Sequence, residues 1–153
     1  MKQYDRVVFV ARSGTCREPM AAGILSDFML KKDIEILARG LIVSFPEPMN
    51  QKAEAILISN GISMPDFVSV ELSEADISDT TLVLTMETAQ RDKVLSRFPE
   101  AEDVYVLTEF VGDELEIIDP YGGTLTAYGL CYETLRKSIR KLVKILNEEE
   151  ETP

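Results

Sequence analysis

One stretch, DRVVFVARSGTCREPMAAG over residues 5–23, does most to limit what this chain can fold into. Arg6 to Val10 is a short apolar run, the pattern of a strand buried on both faces. Pro19 stands where a helix would begin, its missing N–H falling on a position that needs no partner. Beyond it Met20, Ile24 and Phe28 recur every fourth residue, with Ala21, Leu25 and Met29 beside them, which predicts one apolar helix face. Between strand and helix lies a small polar loop, residues 11–18. Such a loop aims several backbone N–H groups at one spot, and the helix dipole adds partial positive charge there. Arg17 brings a planar fork of donors matched to a phosphate dianion. The stretch reads as an anion cradle, its donors the backbone N–H groups of Arg12, Ser13, Gly14, Thr15, Cys16 and Arg17 together with the Arg17 side chain.

The rest of the chain alternates strand and helix. Residues 34–38, 80–85 and 104–107 read as three further strands, and residues 50–60 and 88–98 as helices. Residues 73–76 suggest one helical turn, residues 113–123 a long loop, and residues 125–147 a final helix with Leu135, Ile139, Leu142 and Leu146 at helical spacing. This alternation predicts an α/β fold: one domain over residues 1–147, a four-stranded parallel sheet flanked by helices. An acidic tail, residues 148–153, is expected to fray. Ligands of such sheets bind beyond the carboxyl ends of the strands, where the strand order reverses, and the loop after the first strand leaves at that end.

Charge and composition exclude several classes of function. A net charge of −11 leaves no basic stripe for nucleic acid. The chain has no histidine, which removes the commonest metal ligand and acid–base group. Cys16 and Cys131 are the only two cysteines and have no metal-ligand or disulfide-framework spacing. No apolar run reaches membrane-spanning length, and no signal peptide opens the chain. The expectation is a cytoplasmic protein with no metal, no cofactor and no membrane partner.

The loop and its flanks resemble the low-molecular-weight protein-tyrosine-phosphatases, whose signature is Cys-x-Gly-Asn-x-Cys-Arg-Ser-Pro after a first strand. The matching residues run Ala11, Arg12, Ser13, Gly14, Thr15, Cys16, Arg17, Glu18 and Pro19. DPYGG from Asp119 to Gly123 is similar to the family's Asp-Pro loop, and TLVLTME from Thr81, FPE from Phe98 and YVLTEF from Tyr105 fall where the family has like stretches. The resemblance covers nearly the whole chain and implies a flavodoxin-like sheet of the phosphotyrosine protein phosphatase I type.

It also implies a chemistry. In the family a cysteine thiolate attacks phosphorus, the loop amides and the arginine hold the equatorial oxygens, and an aspartic acid protonates the leaving phenolate. Carried over, the nucleophile position is Ala11, the clamp is Arg17, the acid is Asp119, and Phe45 and Tyr121 stand as pocket walls. Ala11 cannot form the covalent bond. Cys16 occupies the family's redox-partner position, away from the in-line direction, and Ser13 has no histidine to act as its base. The family's asparagine, serine and further serine fall here at Gly14, Glu18 and Ala38. One engineered change would not remove that whole network, which favours a natural member without cysteine chemistry over a substrate-trapping variant.

The reading that results is a pseudophosphatase that binds phosphate, sulfate, a phosphotyrosine protein or a small phosphomonoester through residues 11–18. The alternatives are an active phosphatase, in a parent chain with cysteine at position 11 or through another nucleophile, an arsenate reductase-like protein, and a scaffold with a blocked loop. Glu18 decides whether the loop is blocked. Turned outward it caps the helix; turned inward it fills the cradle. The outward position is expected, because an inward one buries a charge that needs full pairing.

Overall fold

The computed structural model describes residues 2–148. Four parallel strands form one sheet in the order β2-β1-β3-β4. β1 (Arg6–Ala11) and β3 (Thr81–Thr85) are its centre, and both are almost wholly buried, as their unbroken apolar runs predict. β2 (Glu35–Gly40) and β4 (Asp103–Val106) are the edges and show the mixed burial of strands with one open side.

Alternate residues of the central strands feed two separate cores. Val7, Phe9, Leu82 and Leu84 pack with the helices α1 (Arg17–Ser26) and α5 (Leu125–Leu146), and with Leu57 of α2 (Gln51–Ser59). Val8, Val10, Val83 and Val104 face the other way, toward Val94 of α3 (Thr88–Arg97) and Leu41 and Leu72 of the connecting segments. Helices therefore cover both faces. Their ends are chemically set: the Asn50 side chain accepts from the Lys52 and Ala53 amides at the start of α2, and Thr124 accepts from Ala127 at the start of α5. Residues 74–76 form a single 3-10 turn, where the Asp76 carboxylate accepts from the Ser73 amide and pairs with Arg39.

Three details depart from the sequence reading. α1 begins at Arg17, so Pro19 is its third residue; the absent N–H still falls in the first turn, where no intrahelical partner exists. α1 also stops at Ser26, with Asp27 closing it, so the expected stripe is cut short: Phe28 is half-buried and Met29 is 90% exposed. Finally β4 runs straight into a one-and-a-half-turn helix, α4 (Leu107–Val111), which Gly112 ends in the left-handed conformation at φ 83°. The tail expected over residues 148–153 lies, Glu148 apart, outside the described residues. Among the described residues no helix is long and apolar enough to cross a membrane.

Candidate anion-binding loop

The chain leaves β1 between its two neighbours. β2 lies on one side and β3 on the other, so the strand order reverses at this point and a crevice opens beyond the carboxyl ends. Residues 12–16 cross that crevice from Ala11 to α1. The loop is tied to its surroundings by backbone: Leu41 and Ile42 donate to the Ala11 and Arg12 carbonyls at 2.9 Å each, and Asn50 donates to the Thr15 carbonyl at 2.9 Å. Gly14 turns it, at φ 80°, a left-handed position that a side chain would strain. Beneath it, Gly40 approaches so closely that a Cβ there would stand 2.6 Å from the Gly14 nitrogen and 2.7 Å from the Ser13 carbonyl carbon.

Arg12 and Ser13 are exposed, while Ala11, Gly14, Cys16, Arg17 and Glu18 are buried. Ala11 presents only a methyl group where the loop begins. Cys16 carries a free thiol, and burial pushes it far above the usual thiol range; burial raises Cys131 to about 12. In both cases burial favours the neutral thiol over the thiolate, which is the nucleophilic form.

Glu18 does not face outward. Its side chain is buried, with the residue only 1% exposed, and its Oε2 accepts from the Gly14 amide at 2.5 Å. The amides of Cys16 and of Glu18 itself also favour its ionised form, as does the Arg17 charge. Burial outweighs them and raises the carboxyl to about 7. The expected outward orientation is thus overturned for a definite reason: the loop that would hold an external anion supplies the partners an inward carboxylate needs.

Arg17 is equally committed. Its side chain is 3% exposed; Nη1 donates to the Ile117 carbonyl at 2.7 Å and lies 2.7 Å from Glu87 Oε2, and Nη2 stands 3.7 Å from Asp119 Oδ2. Asp119 also accepts from the Tyr121 amide at 3.0 Å, the short-range bond that starts an Asp-Pro turn. One guanidinium therefore meets two carboxylates, those of Glu87 and Asp119, and its charge is also felt by Glu18. Of the residues expected at the site, the structure brings Asp119 to the Arg17 side chain. Phe45 and Tyr121 stand 63% and 78% exposed on the loops after β2 and before α5. Glu87 was not singled out from the sequence. Its signal was positional: it follows two residues after β3, at the carboxyl end of the strand beside β1.

A parallel α/β sheet with an amide-lined loop and an arginine at the switch point defines a phosphatase-type architecture. The family of low molecular weight phosphotyrosine protein phosphatases matches residues 6–152, and the chain belongs to that family. A protein-arginine-phosphatase from Geobacillus stearothermophilus is 32% identical over 147 residues, 95% of this chain and 98% of the relative. The low molecular weight protein-tyrosine-phosphatase PtpB of Staphylococcus haemolyticus is 29% identical, covering 90% of this chain and 96% of its own length. Among solved structures, the low molecular weight protein tyrosine phosphatase from T. tengcongensis superposes with a TM-score of 0.85 at 35% identity, over 92% of this chain and 99% of that one. The YwlE arginine phosphatase from Geobacillus stearothermophilus gives 0.85 at 32% identity, over 92% of each chain.

Proposed function

We propose that this chain is a cytoplasmic, catalytically silent member of the family, whose loop 11–18 recognises a phosphate or phosphotyrosine group only by displacing its own Glu18 carboxylate. The observation that carries the reading is the pair of changes at the two ends of the loop: a methyl group at Ala11, and a carboxylate at Glu18 already bonded to the loop amides. Without a thiol the covalent step has no attacking atom. Arg12 to Arg17, with the Arg17 side chain, keep the donors that bind a tetrahedral anion, and none of these depends on sulfur. Asp119, in the acid's place, pairs with Arg17 and has no leaving group to protonate.

Hydrolysis of an aryl phosphate tests this. The chain itself is expected to release no phenolate above background. Ala11→Cys alone is expected to stay weak, since Glu18 holds the amides, and Ala11→Cys with Glu18→Ser is expected to turn over with a burst. Turnover by the unaltered chain, with phosphate trapped on Cys16 or Ser13 by mass spectrometry, overturns the reading.

A further inference from the structure

The segment between α4 and α5, residues 113–124, has two unlike sides. Its inner side is pinned. The Ile117 carbonyl accepts from Arg17, the Glu116 carboxylate accepts from the Thr88 amide and hydroxyl at 2.8 and 2.7 Å, and the Gly123 carbonyl accepts from Lys52 at 2.6 Å. Ile117 itself is fully buried. Its outer side carries the opposite chemistry: Leu115, Ile118 and Tyr121 are 78%, 82% and 78% exposed. Across from them Leu130 of α5 is 69% exposed. These four side chains line one groove of about 360 Å³, floored by Ile117 and Cys131.

Single exposed apolar residues need no explanation, but four large ones around one groove do. Flexibility does not explain them, because the polar pins fix the segment from behind. A surface held in shape before binding loses little entropy on docking. Charge then selects the occupant. Glu116 and Asp119 line the groove and no lysine or arginine does; Lys137 lies in the adjoining depression beyond Thr134, together with Asp113 and Glu114. The Thr88 bonds hold the Glu116 carboxyl below its usual range, so its charge is present at neutral pH. A second copy would bring the same carboxylates face to face, on a chain of net charge −11.

We propose that this groove docks a segment of a partner protein that carries large apolar residues together with arginine or lysine. The apolar side chains enter between Ile118 and Leu130, and the cationic ones meet Glu116 and Asp119. The groove shares Asp119 and Tyr121 with the surroundings of Arg17 but contains none of residues 11–18, so its apolar contacts do not depend on that loop binding phosphate.

A short fluorescein-labelled peptide alternating Leu with Arg is the probe, with a peptide alternating Leu with Glu as its partner. Fluorescence anisotropy with the full chain is expected to show saturable binding of the first only, weakening as salt rises. Ile118→Ser with Leu130→Ser leaves the charges in place and is expected to lower affinity about tenfold or more. Met29→Ser, at an equally exposed apolar residue elsewhere, is expected to change nothing. Absence of saturable binding, equal binding of both peptides, or equal loss in the Met29 variant overturns the proposal. So does sedimentation of the chain with anionic phospholipid vesicles in a manner abolished by the Ile118 and Leu130 changes, which makes the face a lipid surface.

Discussion

The Glu18 carboxylate accepts a hydrogen bond from the Gly14 amide at 2.5 Å, four residues back along the same loop. The loop thus carries its own anion. Sulfate stays a dianion across neutral pH and competes for the same donors. Glu18→Ser is expected to tighten sulfate binding about tenfold at low salt and neutral pH, by removing a charge that repels the dianion. Isothermal titration measures this. Unchanged affinity in a folded variant shows that Glu18 is not part of the site's electrostatics.

Burial raises the Glu18 carboxyl from an ordinary value of 4.5 to about 7, and this has a sign for binding. Below pH 7 the group is increasingly neutral and no longer opposes an incoming dianion. Sulfate affinity of the unaltered chain is expected to rise as pH falls from about 8 to about 6, and to be flatter in Glu18→Gln. Equal slopes in the two proteins contradict the assignment.

The same shift acts on stability. The folded chain keeps the Glu18 proton up to about pH 7, whereas the unfolded chain releases it near 4.5. Through that window the native state binds more protons, so the Glu18 contribution falls as pH rises, by roughly 3 kcal/mol between its limits. Urea titrations at several pH values are expected to show this decline in the unaltered chain and its loss in Glu18→Gln.

Arg17 serves as a strut between α1, the end of β3 and the loop before α5. Arg17→Met leaves the Ile117 carbonyl without its donor and is expected to cost about 1–3 kcal/mol. Glu87 and Asp119 are 38% and 40% exposed, so water takes over their solvation and the loss stays below that of a fully buried pair. Hydrogen exchange in residues 115–121 is expected to speed up more than in β1. Unaltered exchange there removes the strut.

Gly14 is the loop's turning point. Gly14→Ala forces a side chain into φ 80° and brings its Cβ to 3.2 Å from the Ser69 Cβ. The expected cost is about 1–2 kcal/mol. A melting temperature equal to that of the unaltered chain shows that the loop has another conformation available.

Much of this architecture was legible in residue order. The unbroken apolar runs of β1 and β3 marked the buried centre of a parallel sheet, and the small polar loop before Pro19 marked the crevice. What escaped depends on contacts between distant segments. Glu87 looks like an ordinary residue before α3 until the sheet sets β3 beside β1. α4 hides behind β4 because Val106 and Leu107 continue an apolar run across the junction. Phe28 and Met29 follow the α1 periodicity in sequence, but Asp27 closes the helix first. The Glu18 orientation could not be read from its own position, since what decides it is the set of amides gathered by the folded loop.

The near-contact of Gly40 with Ser13 and Gly14 gives the loop a template outside itself. Its shape is pressed into place by the last residue of a neighbouring strand, far away in sequence. The nine-residue signature is therefore half of a mould. Transplanted beside a second strand ending in any residue with a side chain, the same nine residues would be pushed off their path, and the ring of donors would open.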